Sequence, residues 1–308
     1  MIYDLAIIGG GPAGNAAGVY AARKQLKTIF LTTEFGGQSV VSPEIYNWIG
    51  EQKISGEDLA KKLADHVKSY EGDYLIIKSG TKVTSVTGQT GDFAIKTEAG
   101  ETYTAKTILV ASGSNRRKLT VPGAAEFDQK GLTYCASCDG PLFAGQDVAV
   151  LGGGNAAFET AGQLLAYCQS VTLIHRSANF RADQITIEAL RKNSNFKTIT
   201  NTEIVEIKGE KFVSGLVYKN KTTGEVTDLP VKGIFVEIGH TPNTDFVKDL
   251  INLTSFGAVV VDHKTQGSSL SGIWAAGDCT DALYHQNNIA TGDAIKAVED
   301  IYNHLHLK

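Results

Sequence analysis

Twice in this chain an unbroken apolar run passes straight into a glycine-rich turn and then into a helix-forming stretch. The first instance is residues 4–8 followed by Gly9-Gly10-Gly11-Pro12-Ala13-Gly14, with an Ala-rich segment over residues 15–23 behind it. The second is Asp147-Val148-Ala149-Val150-Leu151 followed by Gly152-Gly153-Gly154-Asn155-Ala156-Ala157, from which a helix runs on through Phe158-Glu159 towards Tyr167. Apolar residues without alternation mark a parallel strand buried on both faces. The G-x-G-x-x-G spacing then has a defined use. Gly9 permits the tight turn, Gly11 lets a pyrophosphate approach the backbone, and Gly14 lets helix and strand pack closely, with the helix N-terminus facing the phosphates. The expected fold is α/β: two Rossmann-like, three-layer ββα dinucleotide-binding domains, the second inserted into the first.

The flanking segments fill in both domains. A strand over residues 28–31 ends near Glu34, an acid about 20 residues beyond the motif and a candidate for hydrogen bonding a ribose. From 74 to 110 the period switches to two, which reads as a small antiparallel meander, and the buried strand 107–114 ends in small residues, Ala111 and Gly113, that permit close cofactor approach. In the second half the strand Ser170-Val171-Thr172-Leu173-Ile174 ends in His175-Arg176 instead of an acid, with Arg181 five residues on. An acid there would repel a phosphate on the ribose, whereas arginines accept one. After another alternating region over 203–238, the tail carries Gly272-Ile273-Trp274-Ala275-Ala276-Gly277-Asp278-Cys279 and a final helix over 290–304. The expected division is residues 1–117 with 245–308 for the first domain and 118–244 for the second.

Composition excludes other classes. At 308 residues the chain is long enough for two domains with proper cores, and 42% hydrophobic with 20% charged residues is ordinary globular usage. A net charge of −4 gives no reason to expect nucleic acid or an anionic membrane as partner. No apolar run approaches the roughly 18–20 residues needed to cross a bilayer. The N-terminal run lacks a basic region and a cleavage site and reads as a strand, not a signal segment. Four cysteines do not make a disulfide framework, so the expected compartment is the cytoplasm.

Between the two fingerprints lies Cys135-Ala136-Ser137-Cys138-Asp139-Gly140. Two cysteines three apart, placed between two dinucleotide sites, point to a dithiol that exchanges electrons with bound cofactors. Exchange needs a thiolate attacker and an adjacent resolving thiol, and this spacing supplies both. Asp139 is the candidate acid/base for the departing thiolate. Zinc would need two further ligands at short spacing, and Cys168 and Cys279 are not so placed; no metal is expected. Cys168 sits in an apolar helix and reads as inert core. Cys279 has no assigned role, and His285 reads as a packing residue near Gln286.

These motifs, in this order and over essentially the whole chain, resemble the low-molecular-weight thioredoxin reductases. The resemblance implies an FAD domain split around an inserted NADPH domain, a homodimer, and a flavin-dependent disulfide reductase acting on a thioredoxin- or glutaredoxin-like protein. It implies that Gly9, Gly11, Pro12, Ala13 and Gly14 hold FAD, together with Gly36-Gly37-Gln38, Asn47, Val83 and Gly113. Gly277-Asp278 and Gln286 would close over the flavin from the C-terminal side. NADPH would lie on Gly152, Gly154, Asn155 and Ala156, with Arg176 and Arg181 towards its 2′-phosphate. By the same resemblance Cys138 faces the flavin and Cys135 attacks the incoming disulfide, and a rotation of the inserted domain about linkers near Val121-Pro122-Gly123 and residues 239–243 brings donor and disulfide to the flavin in turn. The chain departs from the family at Ser177, where a second arginine is common, which leaves NADH possible. Asp139-Gly140-Pro141-Leu142-Phe143 and Gly277-Asp278-Cys279-Thr280 also resemble the alkyl hydroperoxide reductase flavoproteins, whose extra N-terminal thioredoxin-like domains are not in this sequence, so the acceptor is expected to be a separate protein. A flavoprotein handing electrons to ferredoxin or a quinone is the alternative.

Overall fold

The computed structural model describes residues 1–41, 45, 47–134 and 136–307; the side chains of Val41, Ser137 and Cys138 also lie outside the described set. The chain divides into two compact units, Met1–Asn115 with Thr241–Lys308, and Arg116–His240.

In the first unit β1 (Ile2–Gly10) leads into α1 (Pro12–Arg23), β2 (Thr28–Phe35), α2 (Gly56–Lys68), β3 (Leu75–Ser79), β4 (Val83–Gln89), β5 (Asp92–Thr97) and β6 (Thr102–Val110). The sheet order is β3-β2-β1-β6-β5-β4. The unbroken apolar run of β1 is explained by two cores. Leu5 and Ile7 face one together with α1, while Ala6 and Ile8 face another with Phe93 and Ile95 of β5. The structure corrects the expected meander in one respect. Leu75–Ser79 pairs in parallel with β2 at the sheet edge, and only β4, β5 and β6 run antiparallel. The consecutive Leu75-Ile76-Ile77 is the reason: without alternation it suits a strand with apolar neighbours on both sides.

The crossing segment β7 (Ser114–Arg116) enters the second unit. There β8 (Leu132–Thr133), α3 (Ala136–Asp139), β9 (Asp147–Gly152), α4 (Asn155–Leu164), β10 (Ser170–Ile174), α5 (Gln184–Arg191), β11 (Phe196–Ile199), β12 (Thr202–Gly209), β13 (Val213–Asn220), β14 (Val226–Pro230) and β15 (Gly233–Glu237) follow. A parallel sheet ordered β11-β10-β9-β15-β8 carries α4 and α5 on one face and the antiparallel β12-β13-β14 on the other. Val148 and Val150 face the helices, and Ala149 and Leu151 face the small sheet, so β9 repeats the plan of β1.

The chain returns through β16 (His240–Pro242), which pairs with β7, to β17 (Ile273–Ala275) and α6 (Asn287–His306). β17 pairs with Ile108–Val110 of β6, taking over the edge that β5 occupies as far as Ala105. α6 closes the first core with Ala290, Ala294, Ala297, Val298 and Ile301. Among the described residues no helix is long and apolar enough to cross a membrane.

Candidate functional site

The first unit holds a cavity of about 580 Å³ at the carboxyl ends of β1 and β6. That lies within the roughly 300–1,000 Å³ common for bound small molecules and cofactors. Gly9, Gly11, Pro12, Ala13, Glu34, Gly37, Gln38, Val83, Ala111, Gly113, Gly277 and Asp278, all singled out from sequence, line it. Gly14, Gly36, Asn47 and Gln286 are off its wall. A Cβ at Gly14 would stand 1.9 Å from the Gly9 carbonyl oxygen, so this glycine lets α1 lie on β1. Gly36 sits at φ +102 against Ala60 and Val40. Asn47 Nδ2 donates to Gln286 Oε1 at 2.8 Å, tying the loop to the start of α6.

Gly11 differs from its neighbours, since a Cβ there would meet nothing within 4 Å. It is the N-cap of α1 and has no side-chain cap, so the first N–H groups of the helix open on the cavity. This is a cradle that a side chain would fill, and it fits a pyrophosphate. A dinucleotide such as FAD fits both the cavity's size and this end of it. Sequence reasoning missed Ser39, Asn243 and Asn287. Ser39 Oγ donates to Asn287 Oδ1 at 2.8 Å across the cavity wall. Asn243 ties its backbone and side chain to Ser112 and Gly113. Asn287 directly follows Gln286 in α6, which was the available signal; Ser39 and Asn243 carry no motif.

The second unit repeats the device. Gly154 caps α4 without a side-chain partner, and a Cβ there would again meet nothing within 4 Å. Gly152 backs onto the Glu237 carbonyl, where a Cβ would come within 2.3 Å. The third position tolerates Ala157 because α4 stands off far enough to seat its methyl group in the core. Asn155 is committed to the start of α5, its Oδ1 accepting from the Asp183 N–H at 2.8 Å. Ala156 is exposed beside it. At the end of β10 the His175 ring lies over Gly153, and the Arg181 N–H donates to the Gly153 carbonyl at 2.7 Å. Arg176 and Arg181 are both exposed. Burial and the charges of Arg176, Arg181 and Lys221 hold the His175 pKa below its ordinary value, so the ring is neutral at pH 7.

Cys135 and the side chain of Cys138 lie outside the described residues. Asp139 is described: its carboxylate accepts a short hydrogen bond from the Thr133 hydroxyl, and both residues line a cavity of about 310 Å³ with Phe143, Phe212 and Lys232. Glu237 is largely buried at the end of β15, accepting from Thr160 at 3.0 Å. Burial raises its pKa, partly opposed by Arg116 and by the Thr160 hydrogen bond. Cys168 and Cys279 are free and buried, and burial pushes each thiol up to about 11, which leaves both as unreactive core residues. His285 accepts or donates only to the Ala282 carbonyl, at 2.9 Å. Among the described residues no group of three or more His, Cys, Asp or Glu is placed to hold a metal ion.

Comparison with known proteins agrees with this geometry. The chain is 38% identical over 304 residues to the flavoprotein component of alkyl hydroperoxide reductase of Escherichia coli, an alignment spanning 98% of this chain and 58% of that protein. It is 35% identical over 303 residues to an NADH dehydrogenase of Bacillus subtilis, covering 98% of this chain and 58% of the relative. The chain thus spans little more than half the length of these curated relatives. Among solved structures, thioredoxin reductase from Lactococcus lactis superposes with a TM-score of 0.77 at 36% identity, covering 98% of both chains. The two Rossmann-like units match that architecture, and residues 3–297 match a family of oxidoreductases that implies FAD and a pyridine nucleotide. The chain belongs to the pyridine nucleotide-disulphide oxidoreductase family.

Proposed function

We propose that this protein is a thioredoxin reductase, an FAD-dependent NADPH:disulfide oxidoreductase that reduces a separate thioredoxin- or glutaredoxin-like protein. The observation that carries the reading is the pairing of two uncapped glycine cradles, at Gly11 and Gly154, with an aspartate held beside a cysteine pair in the second unit. The first unit would hold FAD and the second NADPH, and by resemblance the enzyme would work as a cytoplasmic homodimer. Bound flavin supplies a two-electron relay, taking a hydride from reduced nicotinamide and delivering the electrons to the Cys135–Cys138 disulfide.

The chain's own residues account for the rest. The Cys135 thiolate attacks the acceptor's disulfide, forming a mixed disulfide and releasing one acceptor sulfur as a thiolate. Cys138 then attacks the Cys135 sulfur, which re-forms the internal disulfide and frees the second acceptor thiolate. Asp139 supplies a proton to a departing thiolate, and the Thr133 hydroxyl fixes the carboxylate on its own side of the cavity. Gly277, with Ala13 and Ala290 packed about 3.2–3.3 Å from where a Cβ would sit, lets the tail approach the cofactor cavity.

A second reading is supported by the relatives: an NADH-dependent flavoprotein of the alkyl hydroperoxide reductase kind, or a reductase of another carrier such as ferredoxin or a quinone. Replacing Cys138 with Ser separates the classes. A disulfide reductase loses protein-disulfide turnover while the flavin is still bleached by reduced nicotinamide. Retained turnover with the natural acceptor would eliminate the dithiol mechanism.

A further inference from the structure

The end of β10 is basic beyond what the two arginines supply. Ser177 follows Arg176, and the backbone there is stitched sideways by two hydrogen bonds. The Asn201 N–H donates to the Ser177 carbonyl at 3.3 Å, and the Lys221 N–H donates to the Asn201 carbonyl at 2.7 Å. Asn201 adopts the left-handed conformation, φ 54, which lets its N–H and carbonyl serve neighbours on opposite sides. The Thr202 N–H fastens the same turn to the His175 carbonyl at 3.2 Å. Lys221 directly follows β13, whose last residue Asn220 pairs with Thr202. The turn it begins is rigid, because Asn220 Oδ1 accepts from the N–H groups of Thr222 and Thr223 at 2.8 and 3.1 Å.

Lys221 is exposed, as are Arg176 and Arg181. Among the described residues none of these three cations has an ion-pair partner. The nearby Asp183 is engaged with Asn155. His175 Nε2, buried in their midst, has no hydrogen-bond partner either. Three unpaired cations around one loop repel one another, an arrangement that an anion relieves.

We propose that Lys221, carried beside Ser177 by this backbone ladder, is the third cation of the site and contacts the phosphate monoester on the adenosine ribose of NADPH. The inference rests on the cofactor reading above. Lys221 comes from the β12–β13–β14 sheet, not from the loop after β10, so it restores from a different element the donor missing at residue 177. A lysine serves here as a point charge, without the bidentate geometry of arginine.

The test is calorimetric titration of the flavin-loaded protein with NADP⁺ and with NAD⁺, which reads binding without turnover. Lys221→Gln is expected to weaken NADP⁺ about tenfold, the size of one exposed charge-assisted hydrogen bond, and to leave NAD⁺ within about twofold. Adding Ser177→Arg to that variant should recover NADP⁺ affinity, which a merely structural lysine would not allow. If Lys221→Gln leaves NADP⁺ affinity unchanged while Arg176→Ala lowers it, the role of Lys221 is refuted and the cofactor reading stands. If the wild-type protein binds NAD⁺ as tightly as NADP⁺, the cofactor reading fails and this inference with it.

Discussion

The same substitution at two glycines of one fingerprint should produce opposite defects. At Gly14 an added Cβ would sit 1.9 Å from the Gly9 carbonyl oxygen and 2.9 Å from its carbon, both backbone atoms that cannot swing aside. Ordinary contact begins near 3.4 Å, so α1 must retreat from β1 by about 1.5 Å. That separates Ala13 and Ala17 from Leu5 and Ile7 in the first core. Overpacking of this kind costs about 1–3 kcal/mol, and the better helix propensity of alanine returns at most about 1 kcal/mol. With about 2–4 °C per kcal/mol for a unit of this size, Gly14→Ala should lower Tm by about 5 °C. At Gly11 the added methyl meets no protein atom, and its φ of −76 suits any residue. Gly11→Ala should therefore keep the apo-protein's Tm within about 2 °C, while the methyl occupies the space a pyrophosphate would use. Flavin affinity should fall by about 100-fold, the cost of close approach denied at a phosphate site. The assays are differential scanning calorimetry of the flavin-stripped proteins and flavin absorbance after gel filtration. A Gly14→Ala protein with wild-type Tm, or a Gly11→Ala protein that elutes fully yellow, would refute the reasoning.

Two further outcomes follow from buried polar groups. Asp139→Asn should slow disulfide turnover by about 100-fold while nicotinamide still bleaches the flavin at the wild-type rate, as stopped-flow spectra would report; equal slowing of both steps would place Asp139 elsewhere in the cycle. Glu237 has its folded pKa raised, so the folded state holds the proton more tightly than the unfolded chain does. Its contribution is full below the unfolded carboxylate range and is lost as pH rises through the raised folded pKa, with Arg116 and Thr160 limiting the loss and Glu159 adding to it. Glu237→Gln, which keeps the shape and the bond to Thr160, should gain Tm over wild type at pH 8 but not at pH 4; an equal difference at both would refute the burial argument.

Much of the site was legible because its residues obey local rules. The apolar strands needed no tertiary knowledge, since β1 and β9 are buried on both faces and cannot alternate. The open glycines at 11 and 154 follow from the spacing alone. What escaped were contacts made by return of the chain. Ser39 meets Asn287 across 248 positions, and Asn243 meets Ser112 across 131. Single polar residues in loops carry no periodicity, so nothing marks their partners. The edge strand β3 departs from expectation for a related reason: a short apolar segment states that it is a strand but not which neighbour it pairs with. Lys221 belongs to the same class, placed by a ladder through Asn201 that no spacing rule describes.

The edge of β6 is shared by β5, which comes before it in the chain, and β17, which comes some 160 residues after. The order of synthesis therefore matters to the first unit. When its first 115 residues leave the ribosome, α1 has a bare flank where Ala290, Ala294 and Val298 will lie, and the second half of β6 has an open edge. That edge waits while the whole of Arg116–His240 is made, roughly 6–25 s at ordinary elongation rates. The second unit needs nothing later than itself and can complete its own sheet meanwhile. An unpaired strand edge exposed for that long is the kind of surface on which nascent chains associate wrongly, so the interval between β6 and β17 is where chaperone demand for this chain is concentrated.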